Sequence, residues 1–206
     1  MRFLPSWAAA LSLRAMSTAA ASAPFLTEEE YLETELRSEF KREYLGGVVY
    51  AMAGASEPHN VISANLLGML YNRLRGKGCQ PFGSDMKVRL LPLDSTYYYY
   101  PDAMIACDPT DSGHGWRERP SALFEILTED TRRIDEREKR LAYLQLATLE
   151  AYVRIEQDRA EVVVERRTPE GWKVERLSGL EAVVRLSSLE IELPLAELYE
   201  RIKFPA

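Results

Sequence analysis

Two carboxylates stand where the chain would otherwise bury only apolar groups. Glu125 is the one charge in the run Ala122-Leu123-Phe124-Glu125-Ile126-Leu127, and Asp102 follows Pro101 inside the β-forming run 97–107. Burying an unpaired carboxylate costs about several kcal/mol, so something must compensate Glu125. If the two runs are neighbouring strands, as their short connection implies, both carboxylates project from one edge and repel unless a cation lies between them. Oxygen ligands with open coordination positions suit Mg²⁺ or Mn²⁺, which keep several waters and complete their shell with phosphate oxygens. That chemistry is phosphodiester hydrolysis. The alternative on these two positions is an Arg partner for Glu125 and a turn role for Asp102.

Lys139 adds a third group. On a helix expected over 134–147 it shares a stripe with Asp135 and Tyr143, four residues either side, beside the apolar face of Ile134, Leu141 and Leu144. From there its ammonium can reach over the sheet, to position an attacking water or to meet charge developing on phosphorus. The opposing reading is a solvated surface lysine among Arg132, Arg133, Arg137 and Arg140, a cluster that could also clamp a phosphate backbone locally.

The elements that must position these groups read as one α/β domain. Thr27 is a helix cap, Glu30 its capping-box partner and Leu26 a staple onto Tyr31, so folded structure begins here with a helix over about 27–38. Gly46-Gly47 between β-formers predicts a hairpin, and Pro58 opens a long helix with Ile62, Leu66, Leu70 and Leu74 on one face and Gly76 past its end. Strands are expected over 86–91, 97–107, 122–127 and 151–155, followed by a second hairpin of 161–167 and 172–177 around Thr168-Pro169-Glu170-Gly171. The order helix, hairpin, helix, strands, helix, strand, hairpin fits a mixed sheet flanked by helices in a single domain over 25–203. Residues 1–24 loosely imitate a signal peptide, but Arg14 interrupts the apolar run, and the segment is expected to be a disordered extension with Met16 as the initiator.

Composition narrows the classes. With 206 residues, 46% apolar and 28% charged, the chain can build a core of its own. A net charge of −6 excludes coating nucleic acid by bulk electrostatics, so any such contact is local. No apolar window is long enough to cross a membrane as a helix. Cys79 and Cys107 are the only cysteines, which excludes a disulfide framework, and with His59 and His114 they give no zinc spacing. Inert thiols in a reducing cytoplasm are the expectation. His59 with Asn60 at a helix start could orient a phosphate or simply cap the helix. Tyr97-Tyr98-Tyr99-Tyr100 could stack bases, though a strand with tyrosine on both faces is the plainer reading. No Gly-rich phosphate loop occurs, so a nucleotide cofactor is not suggested.

Several segments together resemble a known family. They are Glu43-Tyr44-Leu45-Gly46-Gly47, Met52-Ala53-Gly54-Ala55-Ser56 with His59-Asn60, Ser84-Asp85-Met86-Lys87-Val88-Arg89, Tyr100-Pro101-Asp102-Ala103-Met104, Glu125-Ile126-Leu127-Thr128, Asp135 with Lys139, and Tyr152-Val153-Arg154-Ile155-Glu156-Gln157-Asp158. In order and spacing they are similar to the Uma-type restriction endonuclease family, a bacterial group of the PD-(D/E)XK nuclease superfamily. The resemblance implies a restriction-endonuclease-like core and a Mg²⁺ (or Mn²⁺) ion held by Asp102, Glu125 and the backbone carbonyl of Ile126, with Glu43 as an additional carboxylate. It implies an endonuclease acting on DNA, with Asp102, Glu125 and Lys139 catalytic. The chain departs from the superfamily pattern at Leu127, where a lysine is usual, and Lys139 is the candidate migrated replacement. Cutting both strands of a duplex favours a homodimer. The competing expectation is a catalytically inactive member that kept the fold as a DNA-binding or protein-interaction module.

Overall fold

The computed structural model describes residues 25–204, apart from 53, 93–94, 113–114 and 129–133 and apart from the side chains of 134–136. The expected extension 1–24, His114, Arg132, Arg133 and the side chain of Asp135 therefore lie outside the described residues.

The chain opens as its sequence dictates. Thr27 accepts from the Glu30 N–H while the Glu30 carboxylate accepts from the Thr27 N–H, a complete capping box that starts helix α1 (Glu28–Glu35). Strands β1 (Arg42–Leu45) and β2 (Val48–Ala51) close around Gly46 and Gly47, both at positive φ, which residues bearing a Cβ rarely adopt. Helix α2 (Glu57–Leu74) is capped by Ser56, has Pro58 in its first turn and buries Ile62, Leu66, Met69, Leu70 and Leu74. This is the stripe expected from the spacing, with Met69 added.

Strands β3 (Gln80–Gly83), β4 (Lys87–Leu90), β5 (Tyr97–Tyr99), β6 (Ala103–Ala106), β7 (Trp116–Arg117), β8 (Pro120–Leu127), β9 (Ala151–Glu156), β10 (Glu161–Thr168) and β11 (Gly171–Ser178) complete two main sheets. One has the order β2-β1-β5-β4-β7 and the other β11-β10-β9-β8-β6-β3, with β8 and β9 parallel and its remaining pairs antiparallel. A separate hairpin, β12 (Val183–Leu186) and β13 (Ile191–Pro194), leads into the short helix α4 (Leu195–Leu198). The expected second hairpin is present as β10 and β11 and forms one edge of the larger sheet.

The larger sheet is covered on both faces. On one, α2 packs over Ala122, Phe124 and Ile126 of β8, together with Ile105, Val153 and Ile155. On the other, Leu123, Met104 and Tyr152 meet Val88, Leu90 and Tyr99 of the smaller sheet and Ala142 and Tyr143 of α3 (Arg140–Tyr143). Successive strand residues point to opposite faces, so Glu125 shares the Leu123 face, between the sheets and α3.

Three sequence expectations need correction. The run 97–107 is two strands in different sheets: β5 belongs to the smaller and β6 to the larger, and the chain crosses at Tyr100-Pro101-Asp102. Pro101 has no N–H to donate to a ladder, which suits it to that crossing. The helix expected over 134–147 is a π-helix, Ile134–Lys139, running into the four residues of α3. Finally, Cys79 and Cys107, flanking the paired strands β3 and β6, are joined by a disulfide and are not free thiols. It is a single cross-link and not a framework, and in a reducing compartment the same pair would stand as thiols.

Candidate active site

The crossing at Tyr100-Pro101-Asp102 sets the site. Ala103 pairs with Phe124, so the antiparallel register carries Asp102 to the position facing Glu125. The Ile126 N–H donates to Asp102 Oδ2 at 2.7 Å, and His59 Nε2, from the first turns of α2, lies 3.1 Å from Asp102 Oδ1. The sequence expectation that the two acidic strands are neighbours holds.

Lys139 ends the π-helix and turns inward with its side chain 7% exposed. Its ammonium is shared, 3.0 Å from Glu43 Oε1 and 3.4 Å from Glu125 Oε1. This is no solvated surface lysine. Glu43, on β1, also accepts the Tyr100 N–H at 3.2 Å, so the smaller sheet is tied directly to the crossing. The Tyr143 hydroxyl, one helical turn past Lys139, donates to Glu125 Oε1 at 2.9 Å. Burial first, and then the charges of Glu125 and Glu43, push the Tyr143 hydroxyl well above its ordinary pKa, so it acts as a fixed donor.

Glu125, Lys139 and Glu43 are thus brought together, while Asp102, just before β6, is held by the Ile126 N–H and by His59 of α2. Two other residues named in the resemblance, Asp85 and Gln157, have different surroundings, and a third, His59, meets Asp102. Asp85 is exposed and pairs with Lys41 at 2.8 Å. Gln157 accepts from the hydroxyl of Ser56 at 2.8 Å, fastening the cap of α2 to the end of β9. His59 reads from sequence as a phosphate-orienting or capping group, and its contact with Asp102 has no sequence signal beyond its place in a helix start. Its Nδ1 is buried without a hydrogen-bond partner. Within Lys139's stripe, Tyr143 has a partnership with Glu125 that spacing alone does not show, although the i+4 interval already places it beside Lys139.

A second buried ionic group adjoins the site. Glu165 on β10 is fully buried, accepts from Arg140 Nε and an Arg140 terminal nitrogen, both at 2.6 Å, and pairs with Arg154 at 2.7 Å. Arg140 follows Lys139 directly, so this pair anchors the π-to-α junction onto the larger sheet.

The donor set can be tested against a divalent cation. Asp102 and Glu125 offer hard oxygen ligands on adjacent strands, which is the ligand type Mg²⁺ or Mn²⁺ takes. Among the described residues, no three Asp, Glu, His or Cys side chains stand close enough to enclose an ion. The donor types suit such an ion, and no closed protein cage forms among the described residues.

A mixed sheet covered by a long helix on one face, with acidic groups where the chain crosses between sheets, places the molecule in the restriction-endonuclease-like fold class. Its fold matches a crystal structure described as a "putative nuclease belonging to DUF820" from Anabaena variabilis, with a TM-score of 0.68, 17% identity, and coverage of 84% of this chain and 97% of that one. Residues 28–196 match the family model Uma2, described as "Putative restriction endonuclease", and the chain belongs to that family. Two uncharacterized proteins of Synechocystis are similar along nearly their whole length. One is 29% identical over 187 residues, covering 89% of this chain and 97% of its own, and the other 29% over 179 residues, covering 83% and 98%. Among the described residues, no helix is long and apolar enough to cross a membrane.

Proposed function

We propose that this protein is a Mg²⁺- or Mn²⁺-dependent endonuclease that hydrolyses phosphodiester bonds of DNA, acting in the cytoplasm as a homodimer whose two sites address the two strands. The observation that supports the reading is that Asp102 and Glu125 lie at adjacent paired strands, with the Ile126 N–H on Asp102 and the buried ammonium of Lys139 against Glu125.

Asp102 and Glu125 are the residues that would hold the ion. In a strand, the N–H and C=O of one residue face the same side, and the Ile126 N–H bonds Asp102, which supports the Ile126 carbonyl as a third ligand. When bound, the ion supplies a water of lowered pKa and neutralises charge on the phosphate oxygens. The chain's own groups do the rest. The Ile126 N–H and His59 fix the Asp102 carboxylate, and Tyr143 fixes that of Glu125. Lys139, held between Glu43 and Glu125, is a preorganised cation for the negative charge that develops at phosphorus, where a fixed donor in a dry site acts most strongly.

The test is nicking of supercoiled plasmid with Mg²⁺ or Mn²⁺, alongside calorimetric titration of the ions. Cleavage by the wild type is expected, with its loss in Asp102→Ala, Glu125→Ala and Lys139→Ala while circular dichroism stays native. Cleavage of RNA alone would correct the substrate and keep the site. A second reading, a catalytically inactive module for DNA or protein binding, is favoured by Lys139 itself, which already neutralises two carboxylates as a structural ion pair would. A wild type that neither binds the ions nor cuts, yet retards DNA, would establish that second reading.

A further inference from the structure

The outer edge of the larger sheet is β11, eight residues long, with β10 on one side and no strand among the described residues on the other. Its hydrogen-bonding parity follows from its neighbours. The Gly179 N–H bonds Ala160 O at 2.9 Å, and alternation from there turns the backbone groups of Leu177, Glu175 and Lys173 toward β10. Those of Trp172, Val174 and Arg176 therefore point outward, as an unfilled ladder. Val174 is 56% exposed, unusual for a valine on a large sheet.

We propose that this edge pairs with β11 of a second copy of the chain, antiparallel about a two-fold axis through Val174, joining the two larger sheets into one. Two independent conditions narrow the register, and the pairing of Lys173 with Glu175 selects among those that remain. Outward-facing backbone groups must meet outward-facing ones, which restricts the residue opposite Val174 to an even-numbered position. Side chains directly opposite must also not repel.

With Val174 facing Val174, Lys173 faces Glu175 and Trp172 faces Arg176, each twice by symmetry. The opposed pairs are then aliphatic with aliphatic, cation with anion and cation with indole. Shifting the axis one residue either way sets Lys173 against Lys173 or Glu175 against Glu175, and shifting it to Arg176 sets that residue against itself. Within one chain Glu175 pairs with Arg166 across β10, whereas Lys173 has no ion-pair partner among the described residues, and this register supplies one.

Charges on an edge strand ordinarily guard it against such pairing. Here their order is self-complementary at one register, and that is what favours a second copy over other occupants.

Sedimentation equilibrium of the whole chain tests the proposal without reference to any activity; a monomer would remove the dimer from the proposed function as well, but would leave the hydrolytic reading of Asp102, Glu125 and Lys139 standing. The wild type is expected to dimerise. Val174→Pro should be monomeric with an unchanged dichroism spectrum, because the lost N–H faces outward and the β10 ladder keeps all its bonds. Lys173→Glu alone and Glu175→Lys alone should each weaken dimerisation by about tenfold. Combining both substitutions in one chain should restore it, because the two charges then exchange places and every cross-edge pair is again cation with anion. Mixing the two single variants should also restore it, since in the mixed dimer two anions of one copy lie opposite two cations of the other. A wild type that remains monomeric up to its solubility limit would overturn the proposal, and so would a Val174→Pro variant that still dimerises, or single variants that do not complement when mixed.

Discussion

Glu125 and Glu165 are buried glutamates on one face of one sheet, and the chain treats them differently. Glu165 is gripped by two guanidiniums through three hydrogen bonds of 2.6–2.7 Å. Glu125 is met by a neutral hydroxyl at 2.9 Å and by a lysine at 3.4 Å that lies closer to Glu43. Arg154 sharpens the contrast, because it stands opposite Glu125 in the β8–β9 register yet sends its guanidinium to Glu165. Lys139 and Arg140, adjacent in sequence, are divided between the two carboxylates. A charge held by short bidentate pairing is structural, since planar guanidinium matches carboxylate geometry and leaves little for a ligand to gain. Glu125 is instead positioned by a tyrosine and by an ammonium that it shares with Glu43.

The widest separation should appear in stability. Glu165→Gln leaves the half-buried guanidiniums of Arg140 and Arg154 without their buried anion, and breaking such a pair costs up to about 3–5 kcal/mol. Glu125→Gln keeps the shape and an acceptor for Tyr143, while Lys139 retains Glu43, so its cost should be about 1 kcal/mol. Urea unfolding of both variants checks this, and equal losses would break the comparison. In activity the order reverses, with Glu125→Gln inactive and Glu165→Gln active at temperatures where it remains folded.

Next in size, Lys139→Met removes the only described ammonium between Glu43 and Glu125 and should lower stability by about 3 kcal/mol. Tyr143→Phe removes one donor from a buried carboxylate and should cost about 1–2 kcal/mol. If the hydroxyl matters chiefly for holding Glu125, that loss should shrink when Glu125→Gln is already present, which a double-mutant cycle measures.

How much of this is legible in the sequence depends on how local the physics is. The Thr27–Glu30 box, the Gly46-Gly47 turn and the α2 stripe are decided within a few residues, and the sequence carries them. The adjacency of the strands beside Asp102 and Glu125 is legible because the connection between them is short, and Glu125 stands out because a charge inside an apolar strand demands an explanation. The break at Tyr100-Pro101-Asp102 is hidden by uninterrupted β-formers on both sides, although Pro101 marks it. Strand β3 escapes a sequence reading because Pro81 and Gly83 argue against a strand, and only pairing with β6 decides the matter. The Cys79–Cys107 bond, the contact of His59 with Asp102 and the grip of Arg140 and Arg154 on Glu165 depend on distant segments meeting, for which spacing along the chain has no signal. The π-winding of 134–139 changes which side chains share a face, so the stripe drawn for an α-helix is right about Tyr143 for a reason only partly its own.

The smallest effect concerns a second buried lysine. Lys87 on β4 is about as buried as Lys139, but among the described residues it hydrogen-bonds only to the Tyr100 hydroxyl, at 3.3 Å, and lies over that ring. Burial pulls its pKa below the ordinary 10.5, with Glu35 opposing the shift. Between the lowered folded value and the ordinary unfolded one, the unfolded chain binds a proton that the folded chain lacks, so this group makes stability rise with pH across that window. Lys87→Met should remove that rise and leave stability at neutral pH unchanged or about 1 kcal/mol higher, since a desolvated charge without a carboxylate partner is replaced by an apolar stem. Difference curves of unfolding free energy against pH for wild type and variant isolate the group from the tyrosines that titrate nearby. A loss at neutral pH comparable to that of Lys139→Met would mean that the ring and hydroxyl of Tyr100 hold an ammonium as firmly as two carboxylates do, and the distinction between paired and merely buried charge in this molecule would have to be redrawn.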